Sequence, residues 1–297
     1  MTTILCSGMA RSASTWSYNV CKSILAAVNQ IYNAGYVGEF DAVDAFLQNK
    51  TFPEHQHILL KAHTPGKQTL AAIVDGQIKN IFTYRDPRDS LCSRMQFEGK
   101  EFKLAMWGVI YNLIYYDWYQ NNSQTLFINF KDIMGQPAQE IARIADYLGV
   151  SLSKEICEQI AIDNGLKKSQ KVIENLSQLP QEQLFHEGER VIDKSTLLQT
   201  GHIAGAKTGR WRDELDRKQQ IVTNTVFAPW LVSLGYETEA SLMELELAPV
   251  DEMDWYVDAA VGIYQIVMAG EPEYLQLQEL SAMVIQLAEG TFNYVNR

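Results

Sequence analysis

The chain has 297 residues, of which 46% are hydrophobic and 21% are charged, and this composition is typical of a globular protein with a substantial core. The formal net charge is −11. From Glu237 onward twelve acidic residues stand against Arg297 alone, so residues 1–236 carry 24 charges of each sign. This acidity argues against the binding of long nucleic acid or of an anionic membrane surface. It still allows a local basic pocket for a small anion.

The four cysteines form no CxxC pair and no zinc-ligand spacing, and we interpret them as reduced, buried thiols. They are Cys6, Cys21, Cys92 and Cys157. The N-terminal segment lacks the basic and apolar regions of a signal peptide. The most apolar stretch, residues 105–116, is too short to span a bilayer. We therefore expect a cytoplasmic protein without a membrane span.

In the first half of the chain, short apolar runs alternate with helical patterns. Strands are predicted at Thr2–Cys6, Ile58–Ala62, Ile81–Tyr84 and Leu126–Phe130, and helices over residues 15–28, from Asp86-Pro87 onward and over Pro137–Leu148. This alternation predicts an α/β fold of three layers with a central, mainly parallel sheet, similar to a P-loop NTPase. In such sheets the ligand lies beyond the carboxyl ends of the strands.

The second half of the chain gives weaker signals. Residues 163–205 are polar and weakly periodic, which predicts helix pieces and mobile loop, and a final core helix is predicted over Asp213–Leu234. Two amphipathic patterns over residues 253–267 and 273–289 predict a helical hairpin. We therefore expect a main domain over residues 1–236 and an acidic helical extension over residues 237–297. The extension could pack on the main domain, form a homodimer or bind a partner.

The loop after the first strand, Gly8–Thr15, has the length of a P-loop. Ala13 replaces its second glycine, and Ser14 replaces its lysine. Backbone N–H groups at a helix N-terminus can form an anion cradle, and Arg11 adds a cation. Hydroxyl donors are present at Ser12, Ser14 and Thr15. A cradle with that cation and without the P-loop lysine suits a donor other than a nucleoside triphosphate with Mg²⁺; the alternative is a polar helix cap.

The turn after the Ile81–Tyr84 strand is the second informative segment. Arg85 lies at the end of that strand, and Ser93 lies about two turns into the helix that follows. A guanidinium and a hydroxyl near a helix N-terminus can bind one phosphate together. Asp86 could be a Mg²⁺ ligand at a strand end, but Pro87 directly follows it, so we interpret Asp86 as the N-cap. The alternative for the whole segment is an ordinary capped helix with a surface arginine.

Both segments resemble motifs of the PAPS-dependent sulfotransferases (PAPS is 3′-phosphoadenosine-5′-phosphosulfate). Residues 11–16 are similar to the 5′-phosphosulfate loop K/R-S-G-T-T-W, in which the tryptophan, here Trp16, stacks on adenine. Residues 85–93 are similar to the 3′-phosphate motif R-x-P-x-D-x-x-x-S, with the spacing from Arg85 to Ser93 intact. Phe130 stands where the family has a tyrosine that helps to orient the donor. The resemblance covers residues 1–236.

Lys61 and His63 end the Ile58–Ala62 strand and, two residues apart, project to the same face. Transfer to a hydroxyl needs a base that takes the acceptor's proton and cations that neutralise charge on the oxygens of the transferring group. An imidazole, which titrates near neutrality, suits the first task, and lysine suits the second. The pair resembles the family's K-x-H, in which the histidine is the catalytic base. The alternative is a pair of surface polar groups.

Residues 201–212 resemble the family's late 3′-phosphate loop, R-K-G-x-x-G-x-W. Gly209 and Trp211 match its ending, whereas Ala204 and Gly205 occupy the places of the arginine and lysine. A basic residue further along could compensate, and the candidates are Lys207, Arg210 and Arg212. The alternative is a flexible loop that carries basic residues without a binding role.

The resemblance implies a sulfotransferase that moves a sulfuryl group from PAPS to a hydroxyl or amine of a small-molecule, lipid or glycan acceptor, with PAP as product and no metal. It makes His63, Lys61 and Arg11 catalytic. It assigns donor binding to Arg11, Ser12, Ala13, Ser14, Thr15, Trp16, Arg85, Ser93, Lys207, Gly209 and Arg210. Two other hypotheses stay open: a P-loop-type kinase that uses ATP and Mg²⁺ at Asp86, and a non-catalytic nucleotide-binding or interaction module.

Overall fold

A computed structural model describes residues 2–28, 31–52, 57–201, 203, 206–245 and 247, and gives no account of the Trp107 side chain. The chain forms two compact units. The first unit comprises residues 1–85 and 122–206, and the second comprises residues 86–121 and 207 onward. The helical hairpin predicted over residues 253–289 lies outside the described residues.

The first unit contains a five-stranded, entirely parallel sheet in the order β2-β3-β1-β4-β5. Its strands are β1 (Thr3–Gly8), β2 (Ile31–Tyr36), β3 (His57–Lys61), β4 (Ile78–Tyr84) and β5 (Leu126–Asn129). Its helices are α1 (Ser14–Ala26), α2 (Asp41–Asn49), α3 (Lys67–Val74), α6 (Phe130–Gly135), α7 (Pro137–Leu148), α8 (Lys154–Asp163) and α9 (Leu166–Glu174). The predicted α/β fold with a central parallel sheet is confirmed.

The core of the first unit forms because helical and strand periodicities present apolar side chains to one another. Along α1, Val20 and Ile24 lie four residues apart and are fully buried against the strands. In α7, Ile141 and Ile144 complete the same cluster, and α7 ends at Gly149 in a left-handed conformation. The boundaries predicted for α7 are those observed.

The topology brings three loops together at one edge of the sheet. β1 lies at the centre and pairs with β3 on one side and β4 on the other, so that Cys6 is opposite Lys61 and Gly8 is opposite Thr83. Because all five strands run in parallel, the loops that follow β1, β3 and β4 leave from the same edge. These three loops contain Arg11, His63 and Arg85 of the predicted site.

Several elements of the first unit were not predicted: β2, an antiparallel hairpin, and the helices α2, α3, α6 and α8. β2 contains Asn33, Ala34 and Gly35, residues with poor strand propensity, and its register shifts at this point. Residues 163–205 were predicted as helix pieces and mobile loop, and α9 is one such helix. The same region also contains an antiparallel hairpin of β6 (Leu184–Glu187) and β7 (Arg190–Asp193).

The described part of the second unit is helical. Its helices are α4 (Pro87–Glu98), α5 (Phe102–Asn122, all but the last residue), α10 (Trp211–Glu214), α11 (Arg217–Ser233) and α12 (Glu239–Glu244). The predicted start of α4 is confirmed, since the Asp86 side chain accepts a hydrogen bond from the Arg88 N–H. The helix predicted from about Asp213 to Leu234 is confirmed as α11, but its predicted start is wrong. The chain is extended at Leu215, and Asp216 caps α11 in a capping box with Gln219.

α5 is the longest helix that the structure describes. Among the described residues, no helix is both long enough and apolar enough to cross a bilayer. α5 carries a buried carboxylate, Asp117, which accepts a hydrogen bond of 2.7 Å from the indole N–H of Trp230 in α11. Burial raises the pKa of Asp117 to about 6, and the hydrogen bond from Trp230 opposes this shift.

The α4 helix is fixed within the second unit by the buried guanidinium of Arg88. This group donates to Asp86 Oδ2 at 2.9 Å, to Glu237 Oε1 at 2.8 Å and to Asn224 Oδ1 at 3.0 Å. Its central carbon lies 3.9 Å from the centre of the Trp211 ring. Arg88 therefore links α4 to α10, to α11 and to Glu237, which lies just before α12.

Candidate active site

The loop after β1 is attached to the neighbouring strand β4 through Thr83. The Met9 N–H donates to the Thr83 carbonyl oxygen at 2.9 Å, and the Ser12 hydroxyl lies 2.8 Å from the same oxygen and 2.7 Å from Thr83 Oγ1. A Cβ atom at Gly8 would lie 2.2 Å from Thr83 Oγ1, so only glycine fits there. The loop therefore starts from a fixed point on the sheet.

The loop then turns through two left-handed residues before α1 begins. Arg11 has φ 66° and Ala13 has φ 75°, and no side-chain hydrogen bond from the N-cap residue, Ala13, caps α1. The first N–H groups of α1 therefore remain available at the positive end of the helix dipole, as an anion cradle requires. Ala13 thus adopts a left-handed conformation that glycine would take without strain, and its Cβ makes this conformation costly.

We expect Ala13→Gly to raise the free energy of unfolding by about 1 kcal/mol, because glycine removes the left-handed strain, and to leave PAP affinity unchanged. Ala10→Gly in the same loop is the control: Ala10 has no positive φ, so glycine there should lower stability by about 0.5–1 kcal/mol. Urea unfolding and calorimetric titration with PAP measure the two effects. Equal stability changes in both variants would contradict the assigned loop conformation.

The predicted donor-binding residues of this loop have different surroundings. Ser12 is buried, and its N–H and hydroxyl both donate to the Met9 carbonyl oxygen. Its hydroxyl would have to exchange this partner for a ligand, so its assignment stays a prediction. Ser14 and Thr15 are buried in the first turn of α1. Trp16 is half-buried and packs in part against the core cluster.

Lys61 and His63 lie together, as predicted. Lys61 Nζ is 3.2 Å from His63 Nε2, and His63 Nδ1 is 2.8 Å from the Gly8 carbonyl oxygen. A carbonyl oxygen can only accept, so Nδ1 carries the proton. In the neutral ring Nε2 is then the acceptor, and it faces the Lys61 ammonium. The geometry gives His63 the tautomer that a general base needs and links the ring to the residue where the anion loop begins.

Lys61 is a buried amine with only 6% of its surface exposed. Burial lowers its pKa to about 8; Glu39 and Cys6 oppose this shift, and Arg11 adds to it. At neutral pH the ammonium form still predominates. A buried ammonium beside the anion loop suits the stabilisation of negative charge on a transferring group.

Sequence reasoning missed Glu39, which lies just beyond β2. Its carboxylate accepts hydrogen bonds from the His63 N–H at 3.0 Å, from the Thr64 N–H at 2.5 Å and from the Thr64 hydroxyl at 2.5 Å. The signal that could have found it is an acidic residue at the carboxyl end of a strand, but that strand was not recognised.

Arg85 extends from the end of β4 towards the loop after β1. Its Nη1 donates to the Arg11 carbonyl oxygen at 3.2 Å, and its guanidinium carbon lies 4.3 Å from the centre of the Phe130 ring. Phe130, which lacks the hydroxyl of the family tyrosine, thus provides an aromatic surface for the arginine. The loop that contains Arg11 is therefore flanked, within the first unit, by Lys61, His63 and Arg85.

The remaining predicted residues belong to the second unit and already have partners there. The Gly209 N–H donates to Asp89 at 2.8 Å, and Lys207 pairs with Asp213 at 2.6 Å. Buried Arg210 donates to both oxygens of Glu214 and to Gln96 at distances of 2.6–2.8 Å. Ser93 is buried in α4. Gly209, Lys207 and Arg210 would each have to exchange a protein partner for a ligand, so their assignment stays a prediction.

The alternative role of Asp86 as a magnesium ligand does not fit its surroundings. The Asp86 carboxylate accepts from the backbone N–H, Nε and Nη2 of Arg88, which uses both of its oxygens. Within the described residues, no cluster of three or more His, Cys, Asp or Glu side chains could hold a metal ion. Asp86 therefore acts as an N-cap and an ion-pair partner.

The parallel sheet, the anion loop after its central strand and the Lys61–His63 pair beside that loop define a P-loop-like α/β protein with a candidate active site. The family model for the sulfotransferase domain matches this sequence over residues 11–235, about three quarters of the chain. The chain belongs to the sulfotransferase family.

Curated relatives are distant. A flavonol sulfotransferase-like protein of Flaveria bidentis is 22% identical over 142 residues, which are 41% of this chain and 45% of the relative. Sulfotransferase 1A1 of Rattus norvegicus is 25% identical over 204 residues, which are 62% of this chain and 66% of the relative. The matches thus span between about half and two thirds of these relatives.

Solved structures share the fold. Retinol dehydratase in complex with androsterone and the inactive cofactor PAP superimposes with a TM-score of 0.51 at 16% identity, over 80% of this chain and 81% of that chain. Mouse sulfotransferase SULT7A1 complexed with PAP superimposes with a TM-score of 0.52 at 14% identity, over 82% of this chain and 88% of that chain. At these identities the comparison establishes the fold.

Proposed function

We propose that this protein is a PAPS-dependent sulfotransferase that transfers a sulfuryl group to a hydroxyl or amine of a small-molecule, lipid or glycan acceptor. One observation carries the proposal: His63 donates from Nδ1 to the Gly8 carbonyl and turns Nε2 towards Lys61. A base with a defined tautomer, a buried cation and an anion loop therefore meet at one place in the first unit. Family membership and the presence of PAP in the similar solved structures support the choice of donor.

The donor supplies an activated sulfur atom whose bond to a 5′-phosphate oxygen breaks as the acceptor oxygen or nitrogen bonds to sulfur; PAP leaves with the electron pair. His63 Nε2 takes the proton of the acceptor. Before it can do so, the hydrogen bond from the Lys61 ammonium to Nε2 has to break. Lys61 and Arg11 offset negative charge on the sulfuryl and bridging oxygens. The N–H groups at the start of α1 hold the 5′-phosphate, and Trp16 stacks on adenine. None of these roles requires a metal.

Recognition of the 3′-phosphate distinguishes PAPS from ATP. We assign it to Arg85 and Ser93, with Lys207, Gly209 and Arg210 as further contributors. The position of Arg85 supports its part, because a guanidinium held by the Arg11 carbonyl and the Phe130 ring is pre-organised to bind a phosphate.

We expect PAP to bind about 10²-fold more tightly than adenosine 5′-phosphate, because the 3′-phosphate adds charge-assisted hydrogen bonds. Calorimetric titrations with PAP, with adenosine 5′-phosphate and with ATP plus Mg²⁺ measure this difference. Equal affinity for PAP and adenosine 5′-phosphate would refute recognition at the 3′ end. Preference for ATP with Mg²⁺ would favour the kinase hypothesis.

The acceptor is best sought among apolar hydroxyl compounds. One similar protein is named for flavonols, and structures of retinol dehydratase contain androsterone or retinol, so a flavonol, androsterone and retinol form the first panel, followed by amines and glycans. Transfer of ³⁵S from labelled PAPS is the readout. Tight PAP binding without transfer to any acceptor would favour a non-catalytic nucleotide-binding module.

A further inference from the structure

The carboxylate of Glu39 is surrounded by hydrogen-bond donors next to the catalytic pair. Besides the His63 N–H and both donors of Thr64, the Tyr36 hydroxyl donates to Glu39 Oε1 at 2.9 Å. The Tyr36 ring in turn lies 5.6 Å from Lys61 Nζ. Glu39 thus receives donors from the backbone of the proposed base itself and shares a neighbour with the proposed cation.

Asp44 makes the same kind of hydrogen bonds, but to residues that have no part in the proposed chemistry. Its carboxylate accepts from the Gln68 N–H, the Thr69 N–H and the Thr69 hydroxyl, at 2.9, 2.9 and 2.5 Å. These donors lie in the first turn of α3, so Asp44 stabilises a helix start. Each carboxylate thus accepts from two backbone N–H groups and one threonine hydroxyl, whereas only Glu39 of the two also accepts from Tyr36 and from the backbone of the proposed base. Asp44 is therefore a suitable control.

The charge on Lys61 is set by the groups that face it from several elements. Glu39 beyond β2 favours the ammonium form, and so does Cys6 on β1. Arg11 from the loop disfavours it, and burial disfavours it most. His63 Nε2 accepts from the ammonium at 3.2 Å. Glu39 is the one carboxylate among these groups. Its removal should therefore leave the buried Lys61 ammonium with less negative charge nearby to stabilise it.

We propose that Glu39 is a positioning residue for the active site, which fixes the backbone of His63 so that its ring reaches the Gly8 carbonyl and which keeps the buried Lys61 side chain in its ammonium form. This inference rests on the catalytic roles assigned to His63 and Lys61 in the proposed function. A carboxylate that served only to stabilise the turn after β3 would affect unfolding but not the ionisation of Lys61.

The direct test is an NMR titration of the full chain labelled with ¹³C at lysine Cε, with the Lys61 signal identified by its loss in Lys61→Arg. In Glu39→Gln we expect the Lys61 pKa to fall by about one unit, because a neutral amide no longer supports the ammonium. In Asp44→Asn we expect no change at Lys61 despite a comparable loss of stability. A Lys61 pKa that stays the same in Glu39→Gln, or that falls equally in both variants, would overturn the proposal.

Turnover gives an independent second readout. Since Lys61 acts as a cation, kcat should decline as pH rises through its pKa, and Glu39→Gln should move this decline about one unit towards acid. Glu39→Asp keeps the charge, so it should leave the decline in place while kcat falls, and it serves as the test variant if Glu39→Gln does not fold. A decline displaced equally in Glu39→Asp and Glu39→Gln would refute the role of the charge.

The role of Glu39 and the proposed function can each be refuted without the other. The NMR titration needs neither donor nor acceptor, and it decides the inference about Glu39. PAP titration and ³⁵S transfer by the unmodified chain decide the proposed function. An unmodified chain that binds no PAP, with the Lys61 shift still present in Glu39→Gln, would refute the proposed function and leave the electrostatic role of Glu39 standing.

Discussion

His63→Ala is expected to lower turnover by about 10²-fold or more while PAP affinity changes by less than a factor of about three. Alanine removes Nε2, the acceptor that faces Lys61, and with it the group that would take the acceptor's proton. The donor contacts that we assign to the amides of α1, to Arg11 and to Arg85 do not involve the ring. Initial rates with labelled PAPS and calorimetric titration with PAP separate the two effects.

The control is His186→Ala. His186 is exposed on β6 in the same unit, and its removal should leave turnover unchanged. Thermal unfolding of both variants shows whether the loss of the His63–Gly8 contact has disturbed the loop. Turnover of the folded His63→Ala variant within threefold of the unmodified chain would exclude His63 as the base.

Arg88→Met is expected to destabilise the second unit by about 3–5 kcal/mol, because it leaves two carboxylates buried without their counter-ion. The Arg88 side chain is 1% exposed, and those of Asp86 and Glu237 are 12% and 10% exposed. Methionine fills a similar volume, so the loss reports charge more than packing. Urea unfolding followed by tryptophan fluorescence is suitable, because the Trp211 ring lies against the guanidinium.

Arg143→Met is the matched control for burial. Arg143 pairs with Glu140 at 2.6 Å, a shorter distance than in either Arg88 pair, but its side chain is 49% exposed. Solvent screening should therefore keep the cost below about 1 kcal/mol. Adding Asp86→Asn and Glu237→Gln to Arg88→Met should recover part of the lost stability. Equal costs at Arg88 and Arg143 would show that burial does not control these ion pairs.

Features with a local physical cause could be predicted from the sequence. The helix start at Asp86-Pro87 needs only an N-cap side chain and a residue without an N–H, and α7 needs only a period of 3.6 and a terminal glycine. Lys61 and His63 were predicted to lie together from their spacing of two, and they do so, although β3 ends at Lys61 and His63 lies two residues beyond it. Each of these predictions depends on a few neighbouring residues, and each agrees with the structure.

Features that depend on distant partners were not predicted. β2 has weak strand propensity and forms by pairing with β3, so Glu39 was not recognised at its end. Thr83 looked like an ordinary strand residue, yet it binds Met9 and Ser12 across the sheet. Similarly, the break at Leu215 interrupts a sequence that reads as one helix.

By itself the sequence determined the α/β class, the phosphate-type loop, the Lys61–His63 pair and, through the order of its motifs, the resemblance to the sulfotransferases. Only the tertiary structure decided the tautomer of His63, the inward position of Ser12, the ion-pair partners of Arg210 and the place of Glu39. The reason is physical: backbone propensity and side-chain spacing act over a few residues, whereas hydrogen bonds and charges join residues that are close only after the strands have paired.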